Sequence, residues 1–267
     1  MAKQKGVLKY VGTLGDIRHF KIKGQEGYFA GMVGGPTGEQ INNAPEFERT
    51  RENMSEFGGC AKAGKSIRVA LSQLLQQMAD SQVTGRLTSI MKKINLEDGT
   101  EARGYRKIEI STQRKYLAGF DFNKDISFSS LFTAAYSVKH SMTRDSADLV
   151  LPALNPANNI SAPSGATDCR LVNAIAIISD FKYNTANDLY EPSKPALNEL
   201  SKIEYSSYIP LNKAYAGATI TASFPAGTTL TTDVSVLQCV GIEFYQKVGA
   251  NYYLLSSGNC LKIDNLF

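Results

Sequence analysis

The chain has 267 residues, 43% of them apolar, enough to bury at least one core without metal or disulfide support, and no apolar run approaches the roughly 18 residues of a membrane helix. Its net charge of +4 is unevenly spread: residues 1–119 carry 19 Lys or Arg against 12 Asp or Glu, and residues 120–267 carry 10 against 13. The basic part suits nucleic acid, an acidic neighbour or the oppositely charged part of another copy, and a start without a continuous apolar segment predicts a cytoplasmic product, or one released within an assembled particle, with no membrane insertion.

Gly6–Tyr10, Ile17–Ile22 and Gly27–Met32 are short extended candidates, with hairpin turns expected at Leu14-Gly15-Asp16 and Gly24-Gln25. Some thirty residues bury little by themselves, so this ribbon needs a partner surface. Ile41–Glu46 reads as an extended arm leading to a helical patch around Phe47–Phe57. From Ala61, the spacing of Ile67, Leu71, Leu74, Leu75 and Met78 predicts an amphipathic helix of about 18 residues. A second helix carries Leu87, Ile90, Met91 and Ile94, with Thr84 as its expected N-cap and Asp98-Gly99 as its stop.

Ile108 and Ile110 alternate as in a strand. The Ser-, Asn- and Pro-rich run Leu151–Gly165 reads as a surface loop or connector, which places a domain boundary near 150–168. Strand candidates follow at Arg170–Ser179, Phe181–Tyr190 with an interruption, Lys202–Ile209 and Ala218–Phe224. The clearest period-2 stretch comes last: Val234, Val236, Val240, Ile242 and Phe244 share one face, broken only by Gln238, and Leu237, Cys239, Gly241 and Tyr245 share the other. Turns at Val248–Asn251 and Ser256–Asn259 make this a terminal meander. The fold class is therefore α+β, with a mixed part over 1–150 (a short β-ribbon and amphipathic helices) and an antiparallel β-sandwich over 168–267.

Gly59-Cys60-Ala61-Lys62-Ala63-Gly64-Lys65-Ser66 has the letters of a phosphate-cradling loop, in which Lys65 would meet phosphate and Ser66 magnesium. The preceding Arg49–Phe57 is charged and helix-like where an apolar strand is required, so a flexible entry to the next helix is expected. No GxSxG segment occurs, and His19 and His140 begin no ligand or catalytic spacing. Cys60, Cys169, Cys239 and Cys260 form no CxxC pair and read as reduced thiols. No catalytic, cofactor or metal residue is assigned. The candidate contacts for nucleic acid or a neighbouring subunit are Arg49, Arg51, Lys62, Lys65, Arg68, Arg86, Lys92, Lys93, Arg106, Lys107, Arg114 and Lys115, with Arg103 nearby and Tyr105 and Tyr116 for stacking.

Gly6, Gly12-Thr13-Leu14-Gly15-Asp16, Phe47-Glu48-Arg49-Thr50-Arg51-Glu52-Asn53, Glu56-Phe57-Gly58, Ala63-Gly64-Lys65 and the late Gly241-Ile242-Glu243-Phe244-Tyr245-Gln246 together resemble an uncharacterised family common in Bacteroidetes genomes, over nearly the whole chain. More loosely, the chain is similar to proteins of mobile or phage-like contexts. The resemblance implies no catalytic residues and favours a structural role: a homo-oligomer or part of a phage-like particle, with copies of itself or assembly proteins as partners. Nucleic-acid binding through the basic half, and an enzyme whose site is assembled only by folding, are the alternatives.

Overall fold

The computed structural model describes residues 2–267. Contacts divide the chain into two units, Met1–Arg51 and Glu52–Phe267.

In the first unit, β1 (Ala2–Lys3), β2 (Gly12–Leu14), β3 (Ile17–Phe20) and β4 (Phe29–Met32) form an antiparallel sheet in the order β1-β4-β3-β2. Gly15, at φ 55°, opens the two-residue turn between β2 and β3, a left-handed position that glycine fills without steric cost. Gly6–Tyr10, expected as a strand, lies outside the sheet; Tyr10 instead tilts against His19 with ring centroids 4.4 Å apart. The expected extended arm is mostly helical, because Thr37 and Gln40 close a capping box at the start of α1 (Gly38–Asn43). Arg51 then donates to the carbonyls of Ile41 and Ala44, each at 2.8 Å, satisfying acceptors left open at the helix end.

Helix α2 (Glu48–Ala70) begins well before the expected Ala61, and the chain breaks at Leu71 before α3 (Ser72–Met78). Its buried stripe is made of small residues, Gly59, Cys60, Ala63, Gly64 and Ser66, followed by Ile67 and Ala70. Helix α4 (Val83–Leu96) starts one residue ahead of Thr84. Its N-cap position, Gln82, makes no side-chain capping bond; just upstream Asp80 Oδ1 accepts the Gln82 N–H at 2.6 Å, and Thr84 itself lies within the first turn. Ile108 and Ile110 are buried but form no strand; Ile108 makes a single bridge to Phe181.

The remaining elements are α5 (Phe128–Leu131), β5 (Ser137–His140), β6 (Ser146–Leu151), α6 (Pro156–Asn159), β7 (Asp168–Ser179), β8 (Phe181–Asn184), β9 (Leu189–Pro192), β10 (Ser201–Tyr205), β11 (Ile209–Pro210), β12 (Ala218–Ser223), β13 (Val234–Val248), β14 (Asn251–Leu254) and β15 (Cys260–Leu266). A six-stranded sheet is built on the β7–β13 pair, with β10 and β11 on the outer side of β7 and β14 and β15 on the outer side of β13. A three-stranded sheet, β12-β6-β5, covers one face of it, and the two antiparallel sheets make a sandwich that stays open as a half-barrel. This second layer takes β5 and β6 from before the 151–167 segment and β12 from after it. That segment is no free surface loop: Leu154 bridges Tyr215, Ile160 bridges Phe132, and both residues are buried.

The alternation of β13 is reproduced in the packing. Val234, Val236, Val240, Ile242 and Phe244 face the small sheet, while Leu237 and Cys239 join Val172, Ala174, Ala176 and Ile178 of β7 against Ile67, Leu74, Leu87 and Met91 of the helices. The terminal meander is corrected to a hairpin with an interrupted return strand. β14 pairs with Tyr245–Val248 and β15 with Leu237–Ile242, so both run along the same edge of β13. Between them Asn259 stands in for the ladder, accepting the Phe244 N–H at 2.9 Å and donating to the Leu255 carbonyl at 2.6 Å; Ser256–Asn259 is a protrusion in one strand.

Candidate functional site

Gly59 to Ser66 lies wholly inside α2. Its amide N–H groups are committed to intrahelical bonds and cannot converge on a phosphate, and the segment is a rigid helix interior rather than a flexible entry. The glycines have a packing cause. A Cβ at Gly59 would stand 2.4 Å from Cγ of Tyr190, and one at Gly64 would touch Leu87 and Thr88 at 3.5 Å. Ser66 is turned inward: its Oγ donates to Glu199 Oε1 at 2.7 Å and accepts from Asn198 Nδ2 at 3.0 Å.

The candidate cations of the second unit differ in their surroundings. Glu56, only 1% exposed, draws in two of them: its carboxylate pairs with Lys92, lies 3.9 Å from Arg106 Nε, and accepts the Gly104 N–H at 2.8 Å. Lys92 also donates to Asn95 Oδ1 at 3.0 Å. Arg86 is turned inward, its terminal nitrogens donating to Asp80 at 2.5 Å and to the carbonyls of Asp121 and Phe122, each at 2.7 Å, with its guanidinium over the Phe120 ring. Lys107 pairs with Glu101 at 3.1 Å, a contact that raises its pKa. Arg103 pairs with Glu52 at 3.5 Å.

Lys62 and Lys65 project from the exposed side of α2 into an open groove that also holds Glu191 and Glu199, and Lys62 donates to the Tyr190 carbonyl at 3.3 Å. Arg68 and Arg114 are half-buried, Lys93 and Lys115 exposed, and Lys115 lies over the Tyr116 ring. Tyr116 is tied by its hydroxyl to Glu97. Arg49 is exposed, and Arg51 serves the first unit as described. Four of the twelve, Arg86, Lys92, Arg106 and Lys107, are thus set beside acids of the second unit.

The first unit presents a different kind of surface. No residue from 2 to 50 is buried. Leu14, Ile17 and Met32 stand directly opposite one another on three neighbouring strands, with 69%, 44% and 74% of their surface exposed. Residues 1–35 carry six Lys or Arg against two Asp or Glu.

A cleft of about 350 Å³ in the second unit is lined by Tyr105 and Tyr183 together with Lys107 and Lys182. The two rings meet edge to face with centroids 4.7 Å apart. Tyr105 and Lys107 were legible as an aromatic beside a cation. Tyr183 and Lys182 were not, because only the β8–β9 hairpin brings them alongside.

Several buried acids lie away from these surfaces. Burial pushes Glu243 and Asp180 above the ordinary carboxylate range, although Tyr245 donates to Glu243 at 2.5 Å and Ser111 donates to Asp180 at 2.5 Å and 2.9 Å. All four cysteines are buried free thiols; burial pushes Cys60, Cys169 and Cys260 up to about 12, and Cys239 upward as well, far from nucleophilic reactivity. Among the described residues, no three His, Cys, Asp or Glu side chains are grouped to hold a metal ion, and no helix is long and apolar enough to cross a membrane. No protein-family model, curated protein or solved structure matches the chain.

Proposed function

We propose that this chain is a structural, self-associating subunit of a homo-oligomer or phage-like particle, acting in the cytoplasm or within the released particle, and that its N-terminal unit is the contact to the next copy. The observation that carries this reading is the Leu14–Ile17–Met32 row: three large apolar side chains lie side by side and solvent-facing in a unit with no buried residue between 2 and 50. A four-stranded sheet without a covered face is marginal by itself and gains stability when another surface buries it. Its edge strand β2 is short and open to pairing.

Charge selects the kind of contact. Two ribbons that each carry six cations against two acids repel, whereas residues 120–267, with 10 Lys or Arg against 13 Asp or Glu, attract such a ribbon. The favoured contact is heterologous, ribbon to the C-terminal part of a neighbour, which generates rings or open filaments rather than a two-fold dimer.

Light scattering over a wide protein concentration range, followed by electron microscopy of any large species, tests this. Ile17→Lys combined with Met32→Lys, at two exposed positions, is expected to dissolve the assembly while leaving the circular dichroism spectrum unchanged. A wild-type chain that stays monomeric at every concentration and at both low and high salt would remove the reading.

A further inference from the structure

We propose that the Tyr105–Tyr183 cleft of the second unit binds an unpaired nucleobase together with its phosphate, the base stacking on Tyr105 and the phosphate meeting Lys182. The ligand chemistry is that of a nucleotide, whether free or within a single strand, and the site stands independently of the assembly reading.

The cleft holds about 350 Å³, room for a planar base with part of its sugar. Tyr105 is 47% exposed at its mouth, and Tyr183 supports it edge to face at 76°. Tyr183 is itself fixed twice, by Tyr190 at 5.4 Å and through its hydroxyl, which donates to Asp188 at 3.1 Å. A tyrosine held in this way offers a free face at little entropic cost, and such platforms accept any base because every base has a π-face.

The lysines make the ligand an anion. Glu101, the acid in the lining, is held on Lys107 at 3.1 Å. Glu191 lies opposite Lys182 in the hairpin register, yet its oxygens are taken by the side chains of Asn184 at 2.9 Å and Asn187 at 2.5 Å. Lys182 is exposed and, although the charge of Asp233 reaches it at longer range, makes no ion pair among the described residues, so it can still meet a ligand's phosphate. A neutral sugar would also stack on tyrosine but would leave this cation unanswered.

The test uses the full chain with AMP and inorganic phosphate by titration calorimetry, and with a labelled oligoadenylate by fluorescence anisotropy, at about 50 mM salt. AMP or the oligonucleotide is expected to bind and inorganic phosphate to compete poorly. Tyr105→Ala should weaken binding about tenfold or more and Tyr105→Phe should retain it, whereas Lys182→Gln, at an exposed position, should weaken binding and flatten its salt dependence. AMP binding as tightly as the oligonucleotide identifies a free nucleotide as the ligand; binding of the oligonucleotide alone identifies a single strand. Failure of both probes to bind overturns the proposal. So does binding that Tyr105→Ala and Lys182→Gln leave unchanged, or that inorganic phosphate abolishes at matched concentration.

Discussion

Gln238 donates from Nε2 to Oδ1 of Asn173 at 3.1 Å, deep between the two sheets. This contact explains why the apolar alternation of β13 is broken at one position. Gln238 also donates to the Asp148 carbonyl at 3.0 Å, and Asn173 donates to the carbonyls of Ala147 and Ile220, each at 2.8 Å. The two amides therefore fasten β6 and β12 to the central sheet. Asn173→Ala leaves two buried carbonyls without these donors and is expected to cost about 2–4 kcal/mol of stability, read by urea denaturation. A loss below that of an exposed control such as Thr221→Ala would show that the amide pair does not hold the layers together.

Two neighbouring glycines in α2 should respond oppositely to alanine. Gly58 is exposed with nothing within 4 Å of an added Cβ, so Gly58→Ala should gain about 0.5–1 kcal/mol from helix propensity. At Gly59 the methyl meets the Tyr190 ring at 2.4 Å, and overpacking should cost about 1–3 kcal/mol. Pairing Gly59→Ala with Tyr190→Leu should recover part of that loss. Thermal melts of the four proteins decide it; equal shifts for the two glycines would contradict the packing.

Lys92→Met strands the carboxylate of Glu56 with only Gly104 and a distant Arg106 for compensation, and removal of one partner of such a buried pair costs about 3–5 kcal/mol. Glu56→Gln keeps the shape and can still accept from Gly104, so it should cost less than Lys92→Met. Chemical denaturation of both variants orders the two effects. If Lys92→Met proved the milder, the pair would not be the anchor between α2, α4 and the Gly104 loop.

The buried acids predict opposite pH effects. Glu243 is pushed up chiefly by burial, so its folded state holds the proton longer than its unfolded state. Its contribution is full below the unfolded value near 4.5 and is lost as pH rises through the folded value. Glu243→Gln should therefore be more stable than wild type at pH 7–8 and lose that advantage near pH 4 and below.

Asp80 behaves in reverse. Burial opposes its ionisation, but the N–H groups of Lys124 and Gln82 and the guanidinium of Arg86 outweigh it and hold the carboxyl below 3.8. Its stabilisation is present above that value and disappears as pH falls through the lowered one, so Asp80→Asn should be destabilised at neutral pH and match wild type in strong acid. Melting temperatures from pH 2 to pH 8 test both acids, and parallel curves for wild type and either variant would refute that assignment.

The sequence by itself determined which stretches are strand and helix wherever side-chain direction follows backbone period, as in β7, β12 and β13 and along α3 and α4. It also determined the α+β class, because the change from helical to alternating spacing is a local property of the chain. It did not determine what each element meets. Gly59 reads as a loop glycine until Tyr190 is placed over it, and Glu56, Arg86 and Lys92 read as solvated charges until folding sets each beside its partner. Asn259 reads as a turn residue, yet it completes a ladder whose other strand is contributed by Phe244. The cleft at Tyr105 was half visible, since its cation and its ring are neighbours in sequence, while Lys182 and Tyr183 arrive only through a distant hairpin. Periodicity is set within a few residues by covalent geometry, whereas the burial of a charge or the need for a glycine depends on atoms that the chain brings near only when the whole core forms.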